Sequence, residues 1–293
     1  MPRKATPKKK KSKHDADRFD RNKRIAIVTG VILAGGSVFV GASMGIGELD
    51  RRAAKFIAPN ELTVVIDWPI NATGSTWMPI DEREHIERQL AHAVSGGQAL
   101  SQAPLKEAGI TLMNTGWVEG TPTIAWTSDG QITVAARWRV PVAAVRVGNR
   151  EIILDRDRHA LPLDYAIGQS NLLFFSNVDA RQPAIGEQWL GTDLQDGLKL
   201  LDRLERENLL EQIAGFDLGK GAESGTLKII TVRGARIIWG AGPGRERPGE
   251  QPTSVKIDRL KALFDRTGLI DAGAALIDIR PADILLQRRE GDG

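Results

Sequence analysis

The 293-residue chain contains no cysteine, which excludes thiol nucleophiles, thiolate metal sites, iron–sulfur clusters and disulfide-stapled folds in one step. Net charge is also low: 40 Lys and Arg stand against 37 Asp and Glu, a balance of +3. The balance is uneven. Residues 1–24 carry eleven basic and three acidic side chains, leaving 29 basic against 34 acidic for the remainder. The basic character therefore belongs to the tail, and nucleic-acid binding by the folded part loses its electrostatic footprint. A single tyrosine accompanies seven tryptophans. The length admits two modest domains or one large one, held by an apolar core alone.

After Met1, residues 2–24 have no large apolar side chain before Phe19, so the segment 1–24 cannot bury enough surface to offset ordering entropy, and a disordered basic cytoplasmic tail is expected. The run 25–47 (IAIVTGVILAGGSVFVGASMGIG) holds no charge. As a helix it would reach about 34 Å, enough for the ~30 Å hydrocarbon layer. A cleaved signal peptide is the competing reading, but its apolar region is shorter and Ala42-Ser43-Met44 matches its exit poorly. The expectation is one transmembrane helix, N-terminus in, with the bulk of the chain extracytoplasmic. Ala26, Gly30, Ala34, Ser37, Gly41 and Gly45 would form a small-residue face for helix packing.

A polar connector follows over 48–60. The pattern then predicts a strand over 62–68, helices over 81–94 and 102–113, and strands over 123–127 and 131–147 joined at Ser128-Asp129-Gly130. Ile132, Val134, Ala136, Trp138 and Val140 alternate with Thr133, Ala135, Arg137 and Arg139, so one face is buried and the other wet. Pro141 requires a bend or an edge there. A second block begins with a strand over 151–154 and a turn over 155–158. A leucine-striped helix over 193–213 follows, with Thr192 and Gln195 as a capping box. Strands over 216–218, 225–232 and 235–239, a helix over 255–266, and strands over 275–279 and 283–287 complete the pattern. Without strict βαβ alternation, the fold class is α+β.

The chemistry-bearing residues do not assemble into a catalytic set. His85 and His92 share a helix face, but two ligands fall short of a metal site. Asp155, Asp157 and His159 alternate as ligands would, yet lie in a polar turn. Gly240, Gly242 and Gly244 follow a strand, but Pro243 and Arg245-Glu246-Arg247 replace the helix N-terminus that phosphate binding needs. No G-x-S-x-G elbow occurs. Trp68, Trp77 and Trp117 are candidates for sugar stacking, whereas Trp138 and Trp239 fall in alternating strands. No cofactor or small-molecule substrate is implied.

The order of these parts resembles the FtsQ/DivIB family of bacterial cell-division proteins. The resemblance is carried by 115–118 (TGWV), 132–143 (ITVAARWRVPVA), 153–155 (ILD) with Leu161-Pro162, 197–204 (GLKLLDRL), 256–263 (KIDRLKAL) and 277–280 (IDIR). Ile66-Asp67-Trp68-Pro69 replaces a glycine-bearing first strand, and Arg158 stands where the family tends to have glycine. The resemblance implies a single transmembrane helix followed by a POTRA-like module (61–147), a mixed-sheet β domain (148–288) and a short tail (289–293). It further implies a noncatalytic scaffold at the division septum that recruits other membrane proteins, including small coiled-coil bitopic partners. Those partners would dock by strand addition along Asp283, Ile284, Leu285, Leu286 and Gln287, with Arg288 and Arg289 attracting acidic residues. The rival readings are a membrane-anchored envelope hydrolase, which needs a deep pocket with clustered carboxylates, and a wall-polysaccharide-binding module, which needs a row of exposed tryptophans.

Overall fold

The computed structural model describes residues 63–71, 74–95, 101–128, 130–220 and 223–287. Among these, β1 (Val64–Ile66), α1 (Ile80–Ser95), α2 (Gln102–Asn114), β2 (Val118–Trp126) and β3 (Ile132–Trp138) come first. They build a three-stranded sheet ordered β1-β3-β2, with β1 parallel and β2 antiparallel to the central β3. Ile86, Leu90 and Val94 recur every four residues along α1 and are buried, while Asp81 and Glu82 occupy its first turn, at the positive end of the helix dipole. The side chain of Ser101 caps α2 by accepting from the Ala103 amide.

The chain continues through β4 (Ala143–Val147), β5 (Arg150–Leu154), β6 (Ala160–Ala166), β7 (Phe174–Ser176) and α3 (Thr192–Arg206). Then come β8 (Ile213–Asp217), β9 (Leu227–Thr231), β10 (Arg236–Gly240), α4 (Thr253–Thr267), β11 (Leu276–Asp278) and β12 (Leu285–Gln287). These strands form one nine-stranded mixed sheet, ordered β12-β11-β10-β9-β8-β7-β4-β5-β6. Both faces of the sheet are covered around β4, β5 and β7. Val145, Ile152, Leu154 and Phe175 share a core with Leu194, Leu198 and Leu201 of α3 and Leu260 of α4. Their neighbours Ala144, Ile153 and Phe174 point the other way and join Leu112, Ile132 and Val134. Strands buried on both faces read as unbroken apolar runs, so 152–154 shows no alternation.

Helix α3 approaches the sheet closely at Gly197. A Cβ there would stand 2.7 Å from Phe175 Cε1 and 2.9 Å from Leu218 Cδ2, so the ~1 kcal/mol that glycine costs a helix interior is offset by contact no larger residue permits. The rings of Phe175 and Phe216 stack beneath it with centroids 5.3 Å apart.

Several expectations need correction. The described part is a mixed α/β protein dominated by its nine-stranded sheet, and no described helix is long and apolar enough to cross a membrane. The longest has 16 residues, about 24 Å against a ~30 Å hydrocarbon layer, and polar residues occupy its outer face. The transmembrane helix of the expected fold is therefore not found. The run 25–47 with Ala26, Gly30, Ala34, Ser37, Gly41 and Gly45 lies outside the described residues, as do the tail 1–24, the connector 48–60 and residues 289–293. β4, grouped by sequence with the first module, pairs instead with β5 and β7 in the large sheet. The chain changes sheets across Pro141. Helix α3 ends at Arg206, not 213, because Asn208 adopts a left-handed φ of 56° and the chain re-enters the sheet at Ile213. Its N-cap is Gly191, with no capping-box bond from Thr192.

One ion pair ties the two sheets together. Arg139, just beyond β3, donates from Nη1 to Asp155 Oδ2 at 2.6 Å, and the two side chains are 11% and 8% exposed. Asp155 Oδ1 also accepts from the His159 amide at 2.8 Å. The turn suits its sequence less well than glycine would, since Arg158 holds a φ of 70°. Asp155→Ala is expected to cost about 3 kcal/mol, because it leaves the Arg139 guanidinium buried without its counter-charge. Urea denaturation would register this as a lower midpoint, and an unchanged midpoint would show that the pair does not join the sheets energetically.

Candidate docking edge

The last strand of the described chain is also the outermost strand of the large sheet. β12 runs antiparallel to β11, with Leu285, Leu286 and Gln287 opposite Asp278, Ile277 and Leu276. β11 in turn lies parallel to β10. Leu285 is 61% and Leu286 55% exposed. A strand paired on one side presents every second N–H and C=O outward; among the described residues no strand pairs with the outer side of β12, and two leucines accompany that edge. Of the residues singled out by sequence, Asp283 is exposed ahead of the strand, Ile284 packs against the core, and 285–287 form the strand itself. Arg288 and Arg289 lie outside the described residues.

Two of the other sheet edges are blunted, while the short edge strand β1 has neither proline, charge nor register shift. β6, at the far side of the nine-stranded sheet, has Pro162 in its middle, and its pairing with β5 shifts register between Ile152 and Leu154. Its first residue exchanges backbone bonds with the loop before α3: Ala160 N donates to Glu187 O and Gly186 N to Ala160 O. An Arg150–Asp164 ion pair adds charge. In the small sheet, β2 carries Pro122 inside a register shift between Glu119 and Thr123. Proline, charge and irregular register are the usual protections of a sheet edge. Residues 285–287 carry none of the three.

The segment that delivers β12 is held from outside the sheet. Arg259 of α4 donates to the carbonyls of Ile279, Pro281 and Ala282, and the Gln251 amide donates to Arg280 O at 2.8 Å. Asp278 accepts from Arg280 Nε at 2.9 Å and Nη2 at 2.6 Å. Burial pushes the Asp278 carboxyl up, but the Arg280 bonds outweigh it and hold the group below the usual carboxylate range. Sequence reasoning found the strand but missed Arg259. No local signal marks a bond spanning some twenty residues.

The acidic groups of one cleft are already engaged. A cleft of about 420 Å³ is lined by Asp179, Asp193 and Asp196. Asp179 accepts from Ser224 Oγ at 2.6 Å, Asp193 from the Asp179 amide at 2.8 Å, and Asp196 from Arg245 Nη1 at 2.7 Å. Among the described residues no group of three His, Cys, Asp or Glu is placed to hold a metal ion. Each tryptophan named as a sugar-stacking candidate lies against another tryptophan. Trp68 stacks on Trp138 at 5.1 Å and Trp77 lies 5.6 Å from Trp117, which is fully buried.

The glycine run after β10 serves close packing of carboxylates. A Cβ at Gly242 would stand 2.3 Å from Asp196 Cγ, and one at Gly240 2.5 Å from Glu250 Oε2. Glu246 reaches forward to cap α4, accepting from Thr253 N at 2.9 Å and from Thr253 Oγ1. Burial pushes this carboxyl up, but the Thr253 hydroxyl and the surrounding amides outweigh it and hold it at about 2. Since the folded value lies below the ordinary one, the cap stabilises fully above about pH 4.5 and fades as pH falls towards 2. Thr253→Ala should therefore cost about 1 kcal/mol at neutral pH and progressively less on acidification. A stability difference independent of pH would refute the cap.

No family model matches the sequence, and no curated protein matches it either.

Proposed function

We propose that the chain is a noncatalytic scaffold of the bacterial division apparatus, akin to the FtsQ/DivIB proteins. It would act at the septum on the extracytoplasmic side and recruit other membrane division proteins. One observation carries the proposal: β12 is an edge strand of the large sheet without proline, charge or register shift, and it exposes two adjacent leucines, where β1, the other edge lacking these protections, exposes only Val65. A partner segment adding as a further strand would satisfy the free backbone groups and cover both leucines. The partner class is a small coiled-coil bitopic division protein. The engagement of the acidic cleft and of the tryptophans by internal partners supports a docking role over the hydrolase and polysaccharide readings.

The test is a photo-crosslinking residue at position 286 of the full chain in dividing cells, with a second at Val232. Val232 is 61% exposed, so it controls for exposure alone. Capture of a coiled-coil division protein through 286 but not 232, together with septal localisation of a fluorescent fusion, is the expected result. Equal capture at both positions, or none at 286, would sink the proposal.

A further inference from the structure

We infer that Arg259 is the positioning residue of the docking strand: α4, acting through this one guanidinium, sets whether β12 is ordered and available for pairing. The inference rests on the docking reading for its functional consequence only.

β12 has little of its own to hold it. Three residues pair with β11, both leucines are exposed, and Ile284 alone of 283–287 packs against the core. A pairing this short does not offset the backbone entropy of ordering the segment, which is ~1 to 2 kcal/mol per residue. Within the turn, Asp278 accepts from the Arg280 amide at 3.0 Å and from its guanidinium, but Pro281 has no N–H to donate and nothing local reaches the carbonyls that lead into β12. Instead, four successive carbonyls of that turn are bonded by α4 and the residue just ahead of its N-cap. Arg259 takes those of Ile279, Pro281 and Ala282, and the Gln251 amide takes that of Arg280. Arg259 Nη1 serves Ile279 O, at 3.0 Å, and Pro281 O, while Nη2 serves Ala282 O. The planar fork therefore fixes carbonyls on both sides of the proline at once, which a lysine ammonium, a single point of donation, cannot reproduce. The hydrogen bonds of Arg259 all fall on 279–282, ahead of the strand. Its effect on docking has to pass through the order of the strand.

Hydrogen exchange on the purified full chain decides the point without any partner. Arg259→Ala is expected to speed amide exchange at 285–287 at least about tenfold while leaving the central-strand amides of Ile229 and Ile237 unchanged. Arg259→Lys, which keeps the charge and most of the stem, should show most of the same acceleration. Arg266→Ala, an exposed cation in the last turn of α4, should show none. Crosslinking through position 286 should fall severalfold in Arg259→Ala and be unaffected in Arg266→Ala. Unchanged exchange at 285–287, full rescue by Lys, or acceleration spread equally to Ile229 and Ile237 would each overturn the inference. Faster exchange confined to 285–287 in a protein whose parent gives no crosslink would support the positioning role and refute the docking reading instead.

Discussion

The pair Leu285→Asp with Leu286→Asp is expected to reduce partner capture at least about 100-fold while costing no more than about 1 kcal/mol of stability by urea denaturation. Folding is spared because both side chains are more than half exposed, and such surface substitutions shift stability by roughly 0.5 kcal/mol or less each. Docking is not spared. An apolar residue that becomes fully covered at the centre of an interface costs about 2 kcal/mol or more when lost, and a carboxylate placed there also loses its hydration without gaining a partner. Charge on an edge strand is moreover the device by which sheets avoid pairing. The measurement is co-purification or crosslinking yield in parallel with denaturation. A double variant that unfolds would show that the leucines belong to the core, and one that docks normally would move the interface away from β12.

Glu250→Ala is expected to cost about 4 kcal/mol, a large part of the 5 to 15 kcal/mol by which ordinary domains are stable. Lys256 has no exposed surface. Its ammonium donates to Glu250 Oε2 at 2.9 Å and sits 5.2 Å from the centroid of the Trp239 ring. Glu250 also accepts from the Ala241 amide at 3.0 Å. Removing the carboxylate leaves a buried cation unpaired and a buried N–H without its acceptor, two separate penalties of the same sign. Exchanging both partners at once, Glu250→Gln with Lys256→Met, removes the charge and keeps an acceptor for Ala241. That pair should recover most of the loss. Equal destabilisation of the single and double variants would mean that packing, not charge, sets the cost. Because α4 carries both Lys256 and Arg259, the single variant is also expected to loosen the segment leading into β12.

Much of the local structure was legible because it depends on neighbours in sequence. Ile86, Leu90 and Val94 announce α1 through a four-residue period, and Ile132 and Val134 announce β3 through a two-residue period. The absence of cysteine alone removed whole classes of chemistry. A terminal strand over 283–287 was visible from one β-branched residue, Ile284, two leucines and a preceding proline turn, though its regular part shrinks to 285–287. The same reasoning failed where one pattern served two structures. Leu209 and Ile213 extend the stripe of α3, yet Leu209 belongs to the core after the helix and Ile213 to β8. Strands β6 and β7 escaped notice: β6 contains a proline, and β7 is three residues long with both its phenylalanines buried.

By itself, then, the sequence determined element types wherever a single face is buried, since amphipathic period and helix capping are local physics. Tertiary structure alone decided that β4 leaves the first sheet for the second, that β6 is a blunted edge and β12 an open one, and that Arg259 holds the approach to that edge. Strand order and long-range ion pairs follow from how two-faced strands share cores on both sides. That arrangement is settled by packing among residues far apart in the chain, and no spacing within a short window encodes it.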